Sequence, residues 1–205
     1  MPLHLLVAYY VVDHAFVNNT KLSKIDDRKL WIHFFWVVLV FLAFTFDVFL
    51  SRPLGILILI LSIGITVTLD MGRKKLPNSL IEVLAFFILL LLTLLGRTYL
   101  ENSFVTPEFS WYLLGMLLTT VGVTYFLRRI VIPEGATDSI GIAERMSIFI
   151  FILAGQWIWA LVAVAAALLF RIVFSKDGKK EWLISPAAGF GLSLVWQLIM
   201  KGLWV

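Results

Sequence analysis

Seven apolar stretches follow one another along this chain, and their lengths constrain the fold more than any other feature. They run from about Leu3 to Val17, Leu30 to Leu50, Leu54 to Leu69, Leu80 to Leu95, Trp111 to Leu127, Met146 to Phe170 and Trp182 to Met200. About 20 apolar residues in a helix cross the hydrocarbon layer of a bilayer. In that layer every backbone N–H and C=O must find its partner within the segment, so such stretches fold as helices. The chain has 205 residues, 61% of them hydrophobic, with a mean hydropathy of +0.98. Spans of this size use up most of it and leave no length for a soluble catalytic or nucleotide-binding domain. The expectation is an all-α, polytopic transmembrane helix bundle of about seven spans, forming a single integral membrane helical domain over residues 1–205. The first stretch lacks a basic leading region and a small-residue cleavage site, so it is expected to stay as a span. Trp31, Trp111 and Trp182 stand near span ends, as aromatic belts do.

The net charge of +4 points to loops facing the cytoplasm rather than to nucleic acid. Lys21, Lys24, Arg28, Lys29, Arg73, Lys74, Lys75, Arg128, Arg129 and Arg145 fall on the side reached after the first span, against Arg52 and Arg97 on the other. That asymmetry predicts a multi-pass protein of the cell membrane with its N-terminus outside. The run Met146–Phe170 is ambiguous. Its length fits one crossing. A hairpin folded at Gly155 and Gln156 would instead put Arg171, Lys176, Lys179 and Lys180 with the other basic loops and raise the count to eight spans.

Ionisable residues gather toward that same side. Asp13 and His14 end the first stretch, His33 opens the second, Asp70 ends the third, Glu82 opens the fourth, and Glu144 and Arg145 precede the sixth; Asp47 lies at the other face. A charge inside a span costs about 2.5–3.5 kcal/mol on insertion scales, so such groups turn inward and find partners. Carboxylates with imidazoles suit a hard or borderline divalent cation, and Asp13, His14, His33, Asp70 and Glu144 are the candidate ligands. The same groups suit acid–base work, or plain salt bridges to the nearby basic residues. Arg145, near a helix start, would clamp an anion or pair with Asp13, Asp70 or Glu82. His4 reads as an interfacial residue. Gly115 and Thr119, spaced four apart, and Gly189 in the last stretch let helices approach closely, and Gln156 reads as mid-membrane hydrogen-bonding glue. Cysteine is absent, which excludes thiolate sites and disulfides. No phosphate-binding glycine loop, nucleophile elbow or zinc-protease helix motif is present. No cofactor is firmly implied; a divalent metal is the one candidate.

An opening helix ending in Asp13, a basic linker with Lys21 and Lys24, a helix with the early His33, a helix ending in Asp70, and the stretch Ile140 to Arg145 followed by Ser147 and Ile148 occur in that order. This order resembles bacterial membrane proteins of the domain of unknown function 3307 family. The resemblance implies a helical protein of a bacterial inner membrane and no particular activity. In that family a His stands four residues before each helix-ending Asp, which places both on one helix face. Tyr9 and Thr66 occupy those places here.

Two functional readings follow. The first is a non-enzymatic binding, transport or complex subunit with a polar cluster at the cytoplasmic face, in contact with membrane lipid and with a protein partner or further copies of itself. The second is a membrane-embedded, metal-dependent enzyme acting on a lipid head group at that face.

Overall fold

A computed structural model describes residues 1–15, 27–130, 138–174 and 179–204. Lys21, Lys24, Pro133, Gly135 and Lys176 lie outside the described residues, as do the side chains of Arg28, Lys29, Arg128, Arg129, Lys179, Lys180 and Trp182. The described elements are all helical: α1 (His4–Tyr10), α2 (Asp27–Phe49), α3 (Pro53–Gly72), α4 (Asn78–Leu95), α5 (Arg97–Leu100), α6 (Pro107–Leu117), α7 (Val123–Ile130), α8 (Ser139–Leu153), α9 (Trp157–Phe174) and α10 (Lys179–Trp204). Two wider π turns interrupt them, Val11–Ala15 after α1 and Leu118–Gly122 between α6 and α7. Among the described residues, six helical stretches are long and apolar enough to cross a membrane: Leu30–Phe49, Pro53–Gly72, Asn78–Leu95, Pro107–Leu127, Trp157–Phe174 and Leu183–Trp204. The protein is an all-α membrane protein.

Two of the expected stretches are not single plain helices. The first stretch is a short helix with a π turn, and it is core. Leu5, Leu6, Val7, Ala8 and Tyr9 are each at most 1% exposed. A helix that is apolar all round belongs inside a bundle, and α1 packs against α2 and α4. The run Met146–Phe170 does not cross once. It breaks after Leu153 and reverses at Gly155, whose φ of +72° is the left-handed region that favours glycine.

Contacts divide the chain into two compact units, Met1–Leu113 and Leu114–Val205, with the boundary inside α6. In the first unit, α2 and α3 are joined by a reversal at Ser51 and Arg52, and Pro53 opens α3, where a missing N–H costs nothing. Phe49 is fully buried there between two glycines. A Cβ on Gly55 would stand 2.6 Å from the Phe49 carbonyl oxygen, and one on Gly96 would stand 2.9 Å from its ring. Hydroxyls in the spans are satisfied by their own helices: Ser62 donates to the Ile58 carbonyl (2.8 Å), Thr66 to Ser62 (2.9 Å) and Thr93 to Leu89 (2.7 Å).

The second unit is built on α8. Ile148, Ile152 and Ala160 form its apolar centre, and Phe151 stacks on Trp159 across the α8–α9 reversal with ring centroids 6.4 Å apart. Gly115 gives α6 its close approach to α10, because a Cβ there would overlap the Trp196 indole. Gln156 stands exposed in the reversal, so the mid-membrane position expected of it disappears with the single crossing. Polar bonding between helices comes from another glutamine: Gln197 Nε2 of α10 donates to the Ile152 carbonyl near the end of α8 (2.7 Å).

Candidate functional site

Arg73 organises the first unit. It follows α3 directly, its side chain is fully buried, and it gathers acidic groups from three segments. Its Nη2 lies 2.5 Å from Asp13 Oδ2, 3.0 Å from Glu82 Oε1 and 2.8 Å from the Tyr9 hydroxyl, and its Nε lies 3.3 Å from Asp70 Oδ1. Asp70 holds the other side of the network: its Oδ2 is 3.0 Å from His33 Nε2, and both side chains are at most 3% exposed. His14 closes it, with Nε2 3.8 Å from Asp13 Oδ2 and 3.8 Å from Glu82 Oε2. Burial disfavours a charge on Arg73, but Asp13 and its neighbours outweigh that and hold the guanidinium above its ordinary range.

Local backbone explains how two consecutive residues, Asp13 and His14, both reach Glu82. Neighbours in an α-helix project about 100° apart. Here the π turn Val11–Ala15 carries both, and its wider winding brings their side chains nearer one face. Asp70 sits in the last turn of α3, three residues before Arg73, a spacing at which helical side chains meet. Asp13, His14 and Glu82 each place one ligand atom within 4.8 Å of the others. Among the described side chains, three carboxylates thus share one guanidinium and two imidazoles.

The second unit holds a different polar centre. Arg145 is 0% exposed. Its Nη1 donates to Ser185 Oγ (2.6 Å), and its Nη2 reaches Asp138 Oδ2 (2.7 Å), Thr124 Oγ1 (2.5 Å) and the Thr120 carbonyl (3.1 Å). Thr124 in turn donates to Asp138 (2.8 Å). Two glycines make room for it. A Cβ on Gly189 would stand 2.6 Å from Arg145 Cγ, and one on Gly141 would stand 2.9 Å from its Nη1. Glu144 pairs with Arg171 of α9 at 2.5 Å, which shows that α8 and α9 run antiparallel as a hairpin. Both terminal nitrogens of Arg145 are engaged by these partners, the pattern of a structural lock.

No family model, curated protein or solved structure matches this chain. The residues must therefore carry the argument. Of the five candidate metal ligands, Asp13, His14, His33 and Asp70 belong to the Arg73 network, while Glu144 belongs to the second unit and is held by Arg171. The carboxylate on Arg145 is Asp138, seven residues upstream in a segment that reads only as polar. Gly115, Gly189 and the 1%-exposed Thr119 are packing positions, whereas Thr120 and Thr124 hold Arg145. His4 is buried rather than interfacial, with Nε2 2.5 Å from the Val105 carbonyl. Of the two residues four places before the helix-ending aspartates, Tyr9 joins the network and Thr66 does not. Sequence reasoning missed Arg73 itself, which it counted among loop charges. The available signal was its spacing of three from Asp70.

Proposed function

We propose that this is a non-enzymatic membrane protein, a small binding, transport or complex subunit, whose Arg73 network takes up cations at the cytoplasmic face. One observation carries the reading: Asp13, His14 and Glu82 meet at ligand spacing beside a buried Arg–Asp–His relay. Two carboxylates and an imidazole are a donor set for Mn2+ or Zn2+. The relay Arg73–Asp70–His33 would orient those ligands in the way outer-shell groups do at metal sites. A binding role is favoured over catalysis because the sequence carries no cysteine and no recognised nucleophile motif, whereas two carboxylates and an imidazole suffice to hold an ion. The reversal at Gly155 supports the orientation, since it returns Arg171 to the Glu144 end of its unit and lets the basic residues after it follow an inward crossing.

The test is elemental mass spectrometry of detergent-purified protein equilibrated with Mn2+ or Zn2+, followed by flux of the same ion into proteoliposomes. Glu82→Gln and His14→Ala are the variants of choice, because both side chains are about a quarter exposed and tolerate change better than Asp13. The expected result is near-stoichiometric metal in the wild type and at least a tenfold loss of affinity in each variant. Wild-type protein that holds no metal and passes none would sink the reading. The second reading uses the same donors: a metal-dependent enzyme acting on a lipid head group, with His14 and His33 moving protons. It requires a turnover that Asp70→Asn abolishes while the fold survives.

A further inference from the structure

A pocket of about 290 Å³ opens in the first unit between the end of α2, the start of α3 and α5, lined by Asp47, Val48, Ser51, Arg52, Thr98, Tyr99 and Asn102. It lies toward the opposite end of α2 from His33: the step from His33 to Asp47 spans about 21 Å of helix. We propose that this pocket holds the head group of an aminophospholipid, with the phosphate on Arg52 and the primary ammonium on Asp47.

The wall carries both signs of charge. Arg52 is exposed, and its guanidinium carbon sits 5.3 Å from the centre of the Tyr99 ring, which fixes its direction while leaving its N–H donors for an anion. Asp47 accepts from Ser103 Oγ (3.0 Å) and from the Phe104 backbone N–H, and a carboxylate has roughly four acceptor positions, so capacity remains for an ammonium. A zwitterion satisfies both walls, whereas a simple anion would face Asp47 and a simple cation would face Arg52. A primary ammonium suits the site better than a choline, because Asp47 is an acceptor of N–H hydrogen bonds and the Tyr99 face is already covered by Arg52.

The rim is fixed before anything binds. Asp47 ties down Ser103 and Phe104, His4 bonds the Val105 carbonyl, and the Leu3 N–H bonds Ser110 Oγ (3.2 Å). Preorganisation of this kind lowers the ordering cost of binding. The neighbourhood suits acyl chains: Phe46, Leu50, Leu54 and Leu95 beside the pocket are each 51% exposed or more. The volume is at the small end of ligand sites, right for a head group and too small for a larger soluble ligand.

Native mass spectrometry of the full chain, released from nanodiscs with equal phosphatidylethanolamine, phosphatidylcholine and phosphatidylglycerol, tests this directly. The expected result is at least fivefold preferential retention of phosphatidylethanolamine. Arg52→Gln should abolish that preference. Arg97→Gln, outside the lining, should leave it intact. Displacement of the lipid by millimolar free phosphoethanolamine supports the head-group chemistry and shows that a soluble source can also fill the site. Equal retention of the three lipids by the wild type, an unchanged preference in Arg52→Gln, or displacement by inorganic phosphate alone would each overturn the proposal. The wild-type competition needs no variant, so a folding defect in Arg52→Gln leaves a decisive measurement.

Discussion

Two arginines that are almost completely buried anchor this chain, and each is buried at a cost that only its partners offset. Removing one partner of a buried pair leaves an uncompensated charge and destabilises by about 3–5 kcal/mol. Arg73→Ala leaves Asp13 and Asp70, 1% and 3% exposed, without their guanidinium. It should therefore lower the midpoint of thermal unfolding in detergent far more than Arg97→Ala, whose ion pair with Glu101 is about half exposed and contributes little. Equal shifts in the two variants would show that the Arg73 network is hydrated and energetically ordinary. The acidic and imidazole members of that network were legible in the sequence, because a charge at the end of an apolar run stands out. Arg73 was not, since one basic residue among Arg73, Lys74 and Lys75 looks like its neighbours until the end of α3 turns it inward. Asp138 was hidden for a related reason. Its role comes from the Thr124 and Arg145 side chains that meet it, and only the path of the chain brings those together.

At the scale of elements, glycine placement decides how closely helices pack. Gly189 and Gly191 lie two residues apart on α10 and differ sharply. A Cβ on Gly189 meets the Arg145 side chain, whereas one on Gly191 has nothing within 4 Å. Overpacking a fitted contact costs about 1–3 kcal/mol. Gly189→Ala should thus destabilise by about that amount, and Gly191→Ala should match the wild type or gain slightly from helix propensity. Chemical or thermal unfolding of both variants checks the contrast, and a neutral Gly189→Ala would mean that Arg145 is not seated as described. The helices themselves were readable from apolar length, because in lipid the backbone has few alternatives. Two limits of that reading have a physical cause. The first stretch is shorter than the others, and only the structure shows that its helix is buried on every side. In the Met146–Phe170 run, composition is equally apolar on both sides of the break. The reversal is written in one glycine with positive φ, a signal that length and hydropathy do not contain.

The path of the whole molecule through the membrane turns on that same reversal. If Met146–Phe170 crossed once, Gln156 would be buried in lipid and the segment after Arg171 would emerge on the side opposite Glu144. The Glu144–Arg171 pair at 2.5 Å excludes that arrangement within the second unit. With basic loops held in the cytoplasm, the Gly155 turn should then face outward, and Lys176 to Lys180 should face inward. The chain is well suited to a direct measurement because it has no cysteine of its own. Single substitutions Gln156→Cys and Asp177→Cys would be labelled with a membrane-impermeant maleimide, on intact cells and after permeabilisation. Gln156→Cys should react on intact cells, since Gln156 is exposed in the turn, and Asp177→Cys should react only once the membrane is opened. The reverse pattern would keep the hairpin but invert the protein, and would move the Arg73 network to the outer face. Protection of Gln156→Cys in both states, with Asp177→Cys labelled from outside, would mean a single crossing. That result would remove the hairpin on which the second unit is built.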